Sequence, residues 1–120
     1  MTSNPNSCLF VLGCDARQNQ LLVSYFKAQG WASFAACDPE EFFAQIETNP
    51  PALLVMDAHL SGHDSLAVDQ RLRGLGFDLP MILVLEKSVH LAPVWGRVPR
   101  MRKPLRVHQL MAQIELMLPH

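Results

Sequence analysis

The chain alternates short apolar runs with longer amphipathic segments about five times, and this alternation constrains its fold more than any other feature. Cys8 to Gly13 reads as a buried strand, apolar and ended by glycine. Residues 18–29 read as a helix with Leu21, Leu22, Tyr25 and Phe26 on one face and Gly30 as its stop. Trp31 to Ala36 is a second strand. Asp38-Pro39-Glu40-Glu41 is a helix start: Asp38 caps, Pro39 sits where its missing N–H costs nothing, and Glu41 completes the box. Phe42, Phe43 and Ile46 stripe that helix until Pro50-Pro51 breaks it. Ala52 to Met56 is the most strand-like run and ends at Asp57. His59 to His63 reads as a loop. A helix then runs from about Asp64 to Arg73 and stops at Gly74 and Gly76. Leu79 to Leu85 is a fourth strand, residues 86–96 carry little pattern around Pro93, and Val98 to Met101 is a weak fifth strand. Val107, Leu110, Met111, Ile114 and Leu118 form a helical stripe to the end.

Strands apolar on both faces belong in a parallel sheet covered by helices on both sides. Right-handed crossovers then leave a doubly wound, flavodoxin-like (βα)5 arrangement with five parallel strands, its fourth helix short or missing. At 120 residues this is one domain, 1–120, and 49 % hydrophobic composition is enough for a core without staples. No apolar run is long enough to span a bilayer, so no membrane association is expected. No signal peptide is visible, and three widely spaced cysteines make neither a disulfide framework nor a zinc knuckle, so the expected location is the cytoplasm. Ligands of such folds sit at the carboxyl ends of the strands. That directs attention to Gly13 to Asp15, Asp57 to His59, Leu85 to Lys87 and Met101 to Pro104.

Asp57 directly follows a buried strand, and Lys103-Pro104 follows the last strand and opens the last helix. Such strand ends lie side by side in the mouth of the sheet. A carboxylate nucleophile beside an ammonium suits phosphoryl transfer, because Asp can form an acyl phosphate whose oxygens Lys can pair. On these residues the chain resembles the receiver domains of two-component response regulators over nearly its whole length. The resemblance rests on Ala52-Leu-Leu-Val-Met-Asp57, on Ser61-Gly62-His63-Asp64, on Leu79-Pro80-Met-Ile-Leu-Val84, and on Lys103-Pro104-Leu105. The spacing fits the family's D-x-x-x-P-G-x-D-G pattern, with Ser61 in place of Pro and Ser65 in place of Gly. The resemblance implies that Asp57 is the phospho-acceptor position and Lys103 the phosphate-pairing lysine.

The departures matter as much. The resemblance places the family's Mg²⁺-binding acidic pair at Gly13 and Cys14, one without a side chain and one a soft thiol, whereas Mg²⁺ wants hard oxygen ligands. Asp57 and Asp15 are the remaining candidate ligands, and the Asp15 side chain should point differently. The hydroxyl position at the end of the fourth strand is Leu85, and the switch aromatic is Arg100. Without a metal, only Lys103 meets the charge on a transferring phosphoryl group. Losing even ~4 kcal/mol of such stabilisation slows a reaction roughly a thousandfold. The expectation is an atypical receiver without a cofactor that is not an enzyme. It signals by contact with an effector domain or partner protein, or by homodimerising. A histidine kinase is not the expected partner. The family's domains stand alone or precede effector domains, so the chain is read as a single receiver-like domain, either by itself or as the N-terminal part of a longer response regulator. The alternative readings are a conventional phospho-acceptor receiver using Asp57 and a module that binds an anionic ligand such as a nucleotide.

The last alternative rests on charge. Residues 1–70 carry two basic and eight acidic side chains, and residues 71–120 carry eight basic and three acidic. Five of those eight, Arg97, Arg100, Arg102, Lys103 and Arg106, fall within ten positions. A fifth strand sends Arg100 and Arg102 outward on one side. No aromatic interleaving supports base stacking, so direct nucleic-acid binding is not expected, and a solvated basic edge is the default. Cys14 is read as an inert residue beside Asp57, Cys8 and Cys37 as core or near-core. The Asp57, His59, His63, Asp64 cluster is read as exposure on a loop rather than metal ligation.

Overall fold

The computed structural model describes residues 8–60, 62–86 and 92–118. Ser61, Lys87, His90 and His120 lie outside them. The main elements are β1 (Cys8–Leu12), α1 (Ala16–Ala28), β2 (Ala32–Ala36), α2 (Pro39–Ile46) and β3 (Leu53–Asp57). After a short ladder of β4 (His59–Leu60) and β5 (His63–Asp64) come α3 (Ser65–Gly74), β6 (Met81–Leu85), β7 (Arg100–Arg102) and α4 (Val107–Met117). One parallel sheet has the order β2-β1-β3-β6-β7. This is the doubly wound arrangement that the alternation of runs requires. Among the described residues between β6 and β7, the helical content is the 3-10 turn Pro93–Trp95.

Side chains along each strand alternate between two apolar layers. Leu9, Val11, Leu53, Val55, Ile82 and Val84 pack with Leu22 and Phe26 of α1 and Leu110, Met111 and Ile114 of α4. Phe10, Leu12, Leu54, Met56 and Leu83 pack on the other face with Phe42, Phe43 and Ile46 of α2, Val68 and Leu72 of α3, and Trp95. Phe42 and Phe43 are therefore core. Met111 is buried in the first layer, while Met101 and Met117 border it.

Carboxylates start three helices. Asp15 accepts from the backbone N–H groups of Arg17 and Gln18, Asp38 from Glu41, and Asp64 from Leu66. Each satisfies a donor left open by the first helical turn. The Asp15 cap explains why α1 starts at Ala16, ahead of the position read from its apolar stripe.

Two boundaries shift for backbone reasons. Pro80 and Pro99 have no N–H to donate, and each precedes the strand it was read into. Their carbonyls still join the sheet, accepting from Leu54 and Leu83. The stretch 59–63, expected to be a loop, instead closes as a tight antiparallel hairpin. Gly62 turns it at φ 72, and the Ser65 hydroxyl, standing where the family pattern has Gly, donates to the Ala58 carbonyl at 2.6 Å.

Candidate functional site at the carboxyl ends of the strands

Because β1, β3, β6 and β7 are neighbours, four strand ends converge: Gly13-Cys14, Asp57, Leu85-Glu86 and Lys103. Asp57 is 7 % exposed. Its Oδ2 accepts the Cys14 N–H at 3.2 Å and faces the Cys14 thiol at 3.8 Å. Its Oδ1 lies 3.8 Å from Lys103 Nζ. Burying a carboxylate without a partner costs several kcal/mol, so Lys103 has a structural task whatever else it does. Burial pushes the Asp57 carboxyl above its ordinary value. The Lys103 charge and the Cys14 hydrogen bonds pull the other way without cancelling it.

Lys103 is placed by the sheet: its N–H donates to the Leu85 carbonyl at 2.8 Å. Its ammonium is nearer to Glu86, at 3.0 Å, than to Asp57. Burial works against the lysine charge, but the Glu86 hydrogen bond and the Asp57 and Glu86 charges hold its pKa above the usual value. The sequence reading covered the stretch from Leu85 to Lys87 yet gave Glu86 no role. The available signal was its position directly after the fourth apolar run.

Gly13 lets Asp57 settle where it does. A Cβ there would stand 2.9 Å from Asp57 Oδ2 and 3.0 Å from Asn19 Oδ1. Asn19 also escaped the sequence reading. It is buried, and its Nδ2 donates to the carbonyls of Gly13 at 2.9 Å and Ala36 at 3.3 Å, tying the ends of β1 and β2 to α1.

The donor set does not fit Mg²⁺. The Asp15 carboxylate is turned to the start of α1, Gly13 offers no side chain, and Cys14 offers sulfur. Among the described residues no three His, Cys, Asp or Glu side chains gather as a metal site. His59 and Asp64 are cross-strand partners in the hairpin. Leu85 is fully buried and brings no hydroxyl to the mouth. Cys14 and Cys37 are both exposed, which corrects the near-core reading of Cys37: it lies one residue past the last β2 residue in the β1–β2 ladder.

Two arginine side chains of the basic stretch are engaged by nearby main-chain carbonyls. Arg100 and Arg102 are exposed on one side of β7, while Met101 between them packs against the core. Arg100 donates to the carbonyls of Gly96 and Val98, and Arg102 to that of Glu86 at 3.2 Å. Arg97 is exposed, and Arg106 stands at the start of α4 without a side-chain cap. Arg102 and Lys103 both contact Glu86, one at its carbonyl and the other at its carboxylate, whereas Arg100 is engaged by the carbonyls of Gly96 and Val98.

No family model matches the chain. Solved structures do share its fold. The receiver domain of the TMAO respiratory system response regulator TorR superposes with a TM-score of 0.81 at 18 % identity, over 92 % of this chain and 94 % of that one. A two-component response regulator from Clostridium difficile gives 0.81 at 19 % identity, covering 92 % and 94 %. NtrX from Brucella abortus gives 0.80 at 20 % identity over 93 % of this chain, which spans only 26 % of the NtrX length. The chain has the receiver-domain fold of response regulators.

Proposed function

We propose that the chain is an atypical receiver module that signals through protein contacts, with little or no phosphorylation of Asp57. The observation that carries this reading is the company Asp57 keeps. The carboxylate is buried against Gly13 and Cys14, and the neighbouring groups that would hold a metal or a phosphoryl oxygen are a glycine, a thiol and a leucine. The Lys103 ammonium, meanwhile, is shared between Asp57 and Glu86. Charge building on a transferring phosphoryl group would meet one partly neutralised lysine and no hard-oxygen metal site. Residues 1–120 are read as a single module with an effector domain or partner protein as its target. The NtrX comparison, in which the matching part is a minority of the protein, supports that organisation.

An amide NMR titration with Mg²⁺ and beryllofluoride tests it. The resonances of Gly13, Asp57 and Lys103 should stay in place. Large shifts there that vanish in Asp57→Asn would instead establish a conventional phospho-acceptor receiver.

A further inference from the structure

We propose that Glu86 is a resident counter-anion for Lys103 and controls whether a small tetrahedral oxyanion can enter the mouth of the sheet. The inference rests on the reading above and names what regulates that same site. Lys103 Nζ stands 3.0 Å from Glu86 Oε1 and 3.8 Å from Asp57 Oδ1, so the closer carboxylate is the one no phosphorylation chemistry requires. The contact is set by the sheet and not by two wandering surface chains. The Leu85 carbonyl takes the Lys103 backbone N–H at 2.8 Å, and the Glu86 carbonyl takes a guanidinium N–H of Arg102 at 3.2 Å. The backbone bond of the sheet and the Arg102 side-chain bond together hold residues 85–86 beside residues 102–103. Asp57, His59, Val84, Glu86 and Lys103 line the cleft that results.

An incoming oxyanion must therefore compete with Glu86 for the same ammonium. The Glu86 side chain is 58 % exposed, so it can swing into water. An exposed ion pair is a weak competitor, not a permanent lock. Asp57, behind the lysine and 9 % exposed in its side chain, cannot leave in the same way.

The test titrates inorganic phosphate into the 120-residue chain at constant ionic strength and follows the amides of Gly13, Cys14 and Lys103. Glu86→Gln should bind phosphate about three- to tenfold more tightly than wild type, the range expected when an exposed pair and one like charge are removed. Glu86→Asp keeps the charge but shortens the arm by one methylene and weakens the pair, so its phosphate affinity should fall between wild type and Glu86→Gln. Adding Lys103→Met to Glu86→Gln should abolish the saturable response. The proposal is overturned if wild type and Glu86→Gln respond alike, including by not binding at all. It is equally overturned if Glu86→Asp matches wild type, or if binding survives without Lys103. A wild-type response to Mg²⁺ and beryllofluoride would refute the preceding proposal and leave the phosphate comparison among variants standing, so the two failures are distinguishable.

Discussion

Replacing Gly13 by Ala tests whether this glycine is what lets Asp57 lie against the end of β1. The backbone of Gly13 is not in the left-handed region, so alanine meets no conformational penalty there. Its Cβ would meet Asp57 Oδ2 at 2.9 Å, where ordinary contact begins near 3.4 Å, and Asn19 Oδ1 at 3.0 Å. The carboxylate must therefore retreat by roughly half an ångström. The Cys14 N–H bond to Oδ2 is already 3.2 Å long and does not survive that movement. Losing a hydrogen bond to a charged acceptor costs about 1.5–3 kcal/mol. Alanine stiffens the unfolded chain and returns about 0.4–1 kcal/mol. The net expectation is a destabilisation of about 1–2 kcal/mol, read from the shift of the urea midpoint at unchanged slope. In an Asp57→Ala background the Asp57 oxygen and its hydrogen bond are gone and only the Asn19 contact remains, so the cost should be clearly smaller. That coupling is the specific signature of the contact. If Gly13→Ala is as stable as wild type, or costs the same in both backgrounds, the packing argument is wrong. The same geometry implies that placing an acidic side chain at position 13 cannot simply rebuild a metal site, because its first carbon already collides with Asp57.

Two further outcomes follow from burial. The folded Asp57 carboxyl titrates above its unfolded value, chiefly because burial disfavours its charge. The protein then holds the proton that the unfolded chain releases, so this group's contribution to stability falls as pH rises from the unfolded value through the folded one. Asp57→Asn should therefore gain stability relative to wild type between acidic and neutral pH, with the difference closing below the ordinary carboxyl range. Denaturant melts across pH check this, and a gain that grows towards low pH would contradict it. Cys8 is buried and its thiol is pushed up to about 11, whereas Cys14 and Cys37 are exposed. At pH 8 only about one Cys8 in a thousand carries a thiolate even before access is considered. A thiol reagent should label two cysteines in the native protein and the third only after unfolding; rapid labelling of all three would refute the burial.

The layered fold was legible because its signals are local. An apolar run with a glycine stop, or an Asp-Pro-Glu-Glu helix start, states its own conformation, and β1, α2 and β3 follow from such runs. Weak signals drifted where a backbone group decided the matter. The fifth strand moved past Pro99, and His59–Leu60 paired with His63–Asp64 around Gly62 at positive φ. The outward Arg100 and Arg102 were also legible, from the alternation of a strand edge. Their engagement with the carbonyls of Gly96, Val98 and Glu86 was not, since it depends on how the connection before β7 returns to the sheet.

The same division runs through the site. Sequence by itself determined that a carboxylate and an ammonium stand at the carboxyl ends of parallel strands of one sheet, because strand polarity follows from the repeating pattern and the handedness of its crossovers; the structure places β6 between the two strands that carry them. Only the tertiary structure decided which oxygens that ammonium touches. Register places Glu86 at 3.0 Å and Asp57 at 3.8 Å from Lys103, and it folds the Asp57 carboxylate over Gly13, which has no Cβ. Periodicity acts within a segment, whereas a tenth of a nanometre between side chains on different segments is set by the hydrogen-bond register of the whole sheet.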